Sequence, residues 1–269
     1  MVVDRDDYFF DLQGFLHLEG ALTKAEVKDL NDCLDTIPPL KPGEWYGYIH
    51  GHQYGDKTSG VNYQQIYEAG EPFEKLIDHP SWIDKIRRFV GGAGTFDYNH
   101  GSLFIDENHV NFREPGEAIG LHSSQEAKRG AFAFRNGKFM CGQINLLVAL
   151  TDIGTGDGPT MVIPGSHKSN FPHPYFNDNP APYGASVDNI DGAVEVYMPA
   201  GDALLFVDWT AHGAAKRVNP GIRRMVVYRY GPSWGNFRYG YQPSPELLER
   251  LTPERRQIVS PQRPIARPT

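Results

Sequence analysis

From about Gly92 onward the chain is a succession of short apolar stretches, CGQINLLVAL, TMVIPGS, AVEVYMP, ALLFVDW and RRMVVYRY, separated by Gly, Pro, Asn and Asp. Runs of this length between turn formers read as strands. Many short strands in succession imply a sandwich, barrel or jelly roll. With 269 residues the chain is long enough to bury a full core as one β-rich unit, and residues 1–269 are expected to form a single domain.

The first third differs. ALTKAEVKDLNDCLDTI offers Thr23 and Glu26 as a capping box and places Val27, Leu30, Leu34 and Ile37 on one helical stripe, after a short β-like start. A second helix is expected from about Trp82 to Val90, with Ser81 as cap and Gly91 as terminator. Between them Glu44–Gly70 is rich in Tyr and Gly without a sustained period, and reads as a long surface loop or lid. His50 and His52 in YIHGHQY belong to that loop, and His173 lies in the Pro/Asn-rich loop NFPHPYFNDNPAPYG. Ser244–Pro245 and Thr252–Pro253 open two last helical stretches, and 260–269 is expected to be a flexible tail. There is no internal repeat.

Charge and cysteine usage narrow the function. Twenty-six Lys and Arg face 33 Asp and Glu, a formal net charge of −7, which argues against a nucleic-acid polymer or an anionic membrane as partner. Cys33 and Cys141 have neither paired spacing nor a CxxC context, so no disulfide framework or thiolate zinc site is indicated. The N-terminus carries acids where a signal peptide needs bases, and no run approaches the length of a membrane span. A cytoplasmic protein acting on a small molecule is the expectation.

Of ten histidines, His122 and His212 stand out: one leads toward the strand CGQINLLVAL, the other follows ALLFVDWTA and a small-residue turn. Two ligands on different strands can converge in the mouth of a β-barrel. The segment between and beyond them, ALTDIGTGDGPTMVIPGSHKSN and PAGDALLFVDWTAHGAAKRVNPGIRRMVVYRY, resembles the phytanoyl-CoA dioxygenase family of iron(II)- and 2-oxoglutarate-dependent oxygenases. The resemblance covers roughly Asp97–Pro232 and rests on DGPTMVIPGSH, on GD separated by nine residues from His, and on an arginine eleven residues after His212.

That resemblance implies a mainly β, double-stranded β-helix (jelly-roll, cupin-like) fold with N-terminal helices buttressing one sheet. It matches His122 and His212 to the iron ligands and Arg223 to the arginine that anchors 2-oxoglutarate. A planar guanidinium suits the distal carboxylate of a dicarboxylate whose keto acid end chelates iron. Arg224, the next strand residue, should point to the opposite face. Gln143 and Asn145 share a face with Leu147 and are candidate contacts to cofactor or substrate; they read equally well as satisfied polar residues of the barrel.

The sequence departs from the family at one place. The family's His-x-Asp becomes His122-Ser123-Ser124, and a serine alcohol is a poor ligand for iron(II). Three alternatives follow: chloride occupies the vacated iron position beside Ser124, as in halogenases of the same superfamily; Glu126 substitutes for the missing acid; or water fills the gap in a weak oxygenase or a non-catalytic binding module. The leading expectation is a free-standing iron(II)/2-oxoglutarate-dependent halogenase that chlorinates an aliphatic carbon and uses dioxygen, with a hydroxylase as runner-up and Ser124 as the residue that decides between them.

Other candidates are secondary. His167 in PGSHKS reads as a rim or turn residue, and His79 before Pro80 as structural. Lys128, Arg129, Arg135, Lys138 and Lys168 suit a phosphorylated or nucleotide-like substrate, or are solvated charge. Trp45, Tyr46, Tyr48, Tyr54 and Trp234 suit a stacking surface, or are ordinary packing.

Overall fold

The computed structural model describes residues 4–54, 60–91, 101–124, 131–178, 190–233 and 240–261. The chain opens with helix α1 (Arg5–Gln13) and strand β1 (Phe15–Leu18), so the β-like start is preceded by a helix that sequence periodicity does not show. No amphipathic stripe marks α1; Asp4 caps its N-terminus and Gly14, at φ +86°, ends it.

Helix α2 (Lys24–Asp35) carries the expected capping box between Thr23 and Glu26, and buries Leu30 and Leu34. The next segment corrects the sequence reading. Glu44–Gly70 is not a loop: it supplies β2 (Trp45–Tyr46), β3 (Ile49–His52) and β4 (Val61–Gln64) before a 3-10 turn. Glycines hide their period, and their pairing depends on a distant strand. The short α3 (Glu71–Glu74) leads to α4 (Ile83–Val90), whose cap position is Trp82 and not Ser81; the Ser81 hydroxyl is used on the Ala21 carbonyl, 2.7 Å away.

Strand β5 (Phe104–Arg113) is followed by β6 (Ile119–His122) and a small hairpin, β7 (Phe134–Arg135) and β8 (Lys138–Phe139). The five expected strands are β9 (Ile144–Ala149), β10 (Thr160–Val162), β11 (Val194–Val196), β12 (Ala203–Val207) and β14 (Arg223–Gly231), with α5 (Tyr175–Asp178) after β10 and β13 (His212–Ala214) before β14. The chain then forms α6 (Pro245–Arg250) and α7 (Pro253–Val259), capped by Ser244 and Thr252 as their sequence suggests. Most of the expected tail, 262–269, lies outside the described residues.

An eight-stranded sheet, β1-β12-β9-β14-β5-β4-β3-β2, faces a four-stranded sheet, β11-β10-β13-β6. The outer face of the large sheet packs Val226, Tyr228, Val148 and Leu205 against the helices in the principal core, which includes Leu30, Phe73, Trp82 and Ile86. Between the sheets a second cluster joins Leu147, Phe206, Met225 and Val227 to Val162, Val196 and Met198 of the small sheet. The fold is therefore the jelly roll expected, with helices covering one sheet. Among the described residues no helix is long and apolar enough to cross a membrane.

Candidate functional site

Strand pairing builds the centre of the site. His122, the last residue of β6, stands directly opposite His212, the first of β13, and paired residues on antiparallel strands project from the same face. Between this pair and Ala214–Ile119, two residues of β6, Gly120 and Leu121, oppose the single Gly213; this bulge ends regular pairing at the histidines. Their ring centroids are 4.2 Å apart. His212 also packs 4.6 Å from Phe206 of the inter-sheet cluster, so the pair faces into the barrel.

Both imidazoles are held in the same way. His122 Nδ1 lies 2.8 Å from the Gly120 carbonyl and His212 Nδ1 lies 2.7 Å from the Thr210 carbonyl. A carbonyl only accepts, so each Nδ1 carries a proton, and in the neutral ring the lone pair is on Nε2. Burial, reinforced by His122 and opposed by Asp208, pushes His212 down to about 3, so it stays neutral. Two imidazoles whose Nδ1–H groups are fixed by backbone carbonyls, each with Nε2 as the ligating atom of the neutral ring, are the donor set a divalent transition-metal ion takes.

No third acid joins them by the expected spacing. Among the described residues no cluster of three His, Cys, Asp or Glu side chains is assembled as a metal cage. Ser124 follows His122 by two, and its Oγ is buried with no hydrogen-bond partner. Glu126, the alternative acid, lies outside the described residues. What stands beside Ser124 is the end of β12: the Ser124 N–H donates to the Asp208 carbonyl at 3.3 Å, and the Ser123 hydroxyl donates to the Trp209 carbonyl at 2.9 Å.

Asn145 and Leu147 face inward on β9 as expected. Asn145 Nδ2 donates to the Asp208 carboxylate at 2.7 Å. Gln143 lies just before the strand; its amide donates to Asp106 at 2.9 Å and its carbonyl accepts from the Asp208 N–H at 3.0 Å. Both therefore build the wall around the histidines, and Asn145 Oδ1 remains a buried acceptor with no partner.

Arg223 opens β14 and points inward, while Arg224 points out to Asn31, Asp35 and the Phe112 ring. The strand alternation separates the two as anticipated. Arg223 is 2 % exposed. It donates to the Gly158 carbonyl and to Asn111 Oδ1, and its Nε has no partner. Burial, with Arg113 and Arg217 nearby, lowers it to about 9. A buried cationic pocket of this kind is matched by an anion, and a carboxylate fits its unused donor edge. Gly158 sits at φ +67°, and a Cβ there would press on the Arg113 guanidinium and the Ala215 carbonyl.

Sequence reasoning missed the wall opposite the small sheet. Val227 faces inward, and its paired neighbours across β5, β4, β3 and β2 are His109, Gln64, His50 and Trp45; Met225 likewise aligns with Asn111, Asn62 and His52. His50 and His52 are thus strand residues on the interior face, not loop residues. Farther along, Arg229 pairs with Glu107, and its guanidinium binds that carboxylate at 2.8 Å, with Gln64 at 2.8 Å and the Tyr54 hydroxyl at 2.5 Å. Register shifts here, leaving Asp106 as the extra residue of a bulge, directed at Gln143. β5 escaped notice because its inward positions are polar, which erases the apolar signature of a central strand.

The remaining candidates lie apart. His167 is buried in a 3-10 turn, its Nε2 3.1 Å from the Asp11 carbonyl and its ring edge-on to Phe132, which makes it structural. His79 bonds Glu26 at 3.1 Å and ties α2 to the start of α4. Lys168 is paired with Asp11 at 3.0 Å, and Arg135 and Lys138 are exposed partners on the β7–β8 hairpin; Lys128, Arg129 and Trp234 are outside the described residues. Trp45 stacks on His50 at 4.4 Å, and both approach Tyr241. Tyr46 and Tyr48 line a different cavity, of about 330 Å³, against Ile37, Glu68 and Arg250 on the helix-covered side.

Comparison with known proteins agrees with this architecture. A dioxygenase of Talaromyces verruculosus, cdmD, is 25 % identical over 266 residues, covering 91 % of this chain and 80 % of its own. The iron/alpha-ketoglutarate-dependent dioxygenase penM of Penicillium thymicola is 34 % identical over 122 residues, covering 43 % and 34 %. HygX from Streptomyces hygroscopicus, solved with nickel and 2-oxoglutarate bound, superposes with a TM-score of 0.69 at 22 % identity over 91 % of this chain and 94 % of its own, a likeness of fold. The model of the phytanoyl-CoA dioxygenase family matches residues 10–225, most of the chain including the histidine pair and Arg223, and the protein belongs to that family.

Proposed function

We propose that the chain is an iron(II)/2-oxoglutarate-dependent oxygenase of a small organic molecule, with His122 and His212 as the metal ligands and Arg223 as the anchor of the cosubstrate. The observation that carries this is the pair of opposed imidazoles whose Nδ1–H groups are both committed to backbone carbonyls, within a barrel that also buries Arg223. When bound, iron and 2-oxoglutarate would let dioxygen oxidise an unactivated C–H bond, one oxygen atom leaving in succinate as carbon dioxide is lost and the other going to the product. The residues do the positioning. The two carbonyls fix the tautomer and orientation of the imidazoles, Arg223 holds the distal carboxylate in a dry pocket, and Phe206 excludes water from one side of His212.

Transfer of oxygen is the reading preferred, because the curated relatives are dioxygenases and the buried Asp208 carboxylate sets a negative charge within reach of His212, which disfavours a further anion there. Chlorination is the second reading. It is favoured by one observation, the buried Ser124 Oγ with an unmet hydrogen-bonding capacity suited to a halide. The substrate side of the barrel is lined by Asn62, Gln64, His109 and Asn111 and suits a polar, uncharged molecule better than a phosphorylated one. Cys33 and Cys141 are free thiols, in keeping with a reducing compartment such as the cytoplasm.

The test is incubation with iron(II), 2-oxoglutarate, chloride and panels of hydroxyl-rich and phosphorylated compounds, reading succinate release and product mass. Succinate with gain of an oxygen atom supports the proposal, and replacement of hydrogen by chlorine supports the second reading. No succinate with any compound, together with no metal uptake, overturns both.

A further inference from the structure

We infer that Asp208 is the acid of the histidine site, supplying from the end of β12 the negative charge that the position after His122 and Ser123 lacks. The inference rests on the metal-binding reading above and identifies a residue outside the His-x-Asp spacing.

Three features place it. First, the backbone of Asp208 lies against Ser124, joined by the 3.3 Å hydrogen bond from the Ser124 N–H. The neighbouring Ser123–Trp209 bond at 2.9 Å locks the two segments together. Second, Asp208 is 4 % exposed and follows inward-facing Phe206 by two residues, which places it on the interior side next to the ring of His212. Third, its environment orients a carboxylate: Asn145 donates to one oxygen at 2.7 Å, and the Gln143 carbonyl holds the Asp208 N–H at 3.0 Å.

Two neutral imidazoles leave a divalent ion with its full charge in a medium that screens poorly. A carboxylate beside them offsets that charge whether or not it touches the metal. In the described arrangement Asp208 is held by Asn145 and is not part of a three-residue cage, so it acts across the space beside Ser124 as a charge-compensating and positioning residue. A carboxylate in that role also explains how the chain dispenses with an acid at Ser124 without inviting a halide.

Cobalt(II) titration of the whole protein tests this, read by the cobalt absorption spectrum with and without chloride. Asp208→Asn is expected to weaken affinity about 10- to 100-fold, the range seen when outer partners of metal ligands are removed. Adding Ser124→Asp to that variant should restore most of the loss, which a merely structural role for Asp208 would not allow. Chloride should leave the wild-type spectrum unchanged and alter that of Asp208→Asn. If Asp208→Asn does not fold, Asn145→Leu replaces it, with a smaller loss of affinity expected. Wild-type affinity in Asp208→Asn, or in Asn145→Leu where that variant stands in for it, overturns the inference, as does a chloride-dependent spectrum in the wild type. Absence of cobalt binding to the wild type, with His212→Ala no different, overturns the metal reading itself.

Discussion

The two faces of the large sheet differ more than any other two regions of the molecule. On the outer face Val226, Tyr228, Val148 and Leu205 meet the helices in a continuous apolar core. On the inner face, Arg223 and Asn145 on those strands and His109 and Glu107 on the neighbouring β5 are buried with their polar groups directed into the barrel. Stability is concentrated on the first face and chemistry on the second. The alternation of side chains along a strand lets adjacent residues serve the two purposes independently.

Substitutions on the two faces should therefore separate activity from stability. The largest effect is expected for His122→Ala or His212→Ala, which should abolish metal uptake and succinate formation while the thermal midpoint of the apo protein changes little. Next, Arg223→Ala should raise the KM for 2-oxoglutarate on the order of 100-fold, since loss of one partner of a buried charge pair costs about 2–5 kcal/mol. Arg224→Ala, one residue away but facing Asn31 and Asp35, should leave that KM within about twofold. Equal effects of the two arginines would break the comparison.

From the opposite side, Leu205→Ala should cost about 3 kcal/mol in denaturant unfolding with the KM for 2-oxoglutarate unchanged in the folded fraction. His167 provides a pH-dependent counterpart. Burial lowers it from 6.5 to about 4, with Asp11 opposing. The unfolded chain takes up a proton near 6.5 while the folded protein does not, so stability present above pH 6.5 is lost as the pH falls toward 4. At about 1.4 kcal/mol per pH unit the gap is worth about 3 kcal/mol, and His167→Asn should flatten that limb of the stability–pH curve. The smallest effect expected is for Thr23→Ala, which removes the α2 cap and should cost about 1 kcal/mol.

Local chemistry made much of this legible. The Thr23–Glu26 capping box, the Ser244 and Thr252 caps and the five apolar strands are short-range signals, and each stands where it was expected. The spacing of His122, His212 and Arg223 likewise pointed to residues that face into the barrel. What could not be read depends on partners far along the chain. β2 to β4 exist because Val61–Gln64 pairs with β5, more than forty residues away, and their glycines and tyrosines show no period of their own. β5 was hidden by its polar inward positions, and α1 by its lack of an apolar stripe.

The sequence by itself determined the strand-rich character of the chain, the histidine and arginine motif, and the absence of an acid after Ser123, because residue type and spacing are properties of the chain. Tertiary structure alone decided that His50, His52, Asn62 and Gln64 share the interior face, and that Asp208 comes to rest beside Ser124. Register between strands distant in sequence is set by the collective burial of the sheet's two faces, and no local pattern records which side chains it will bring together.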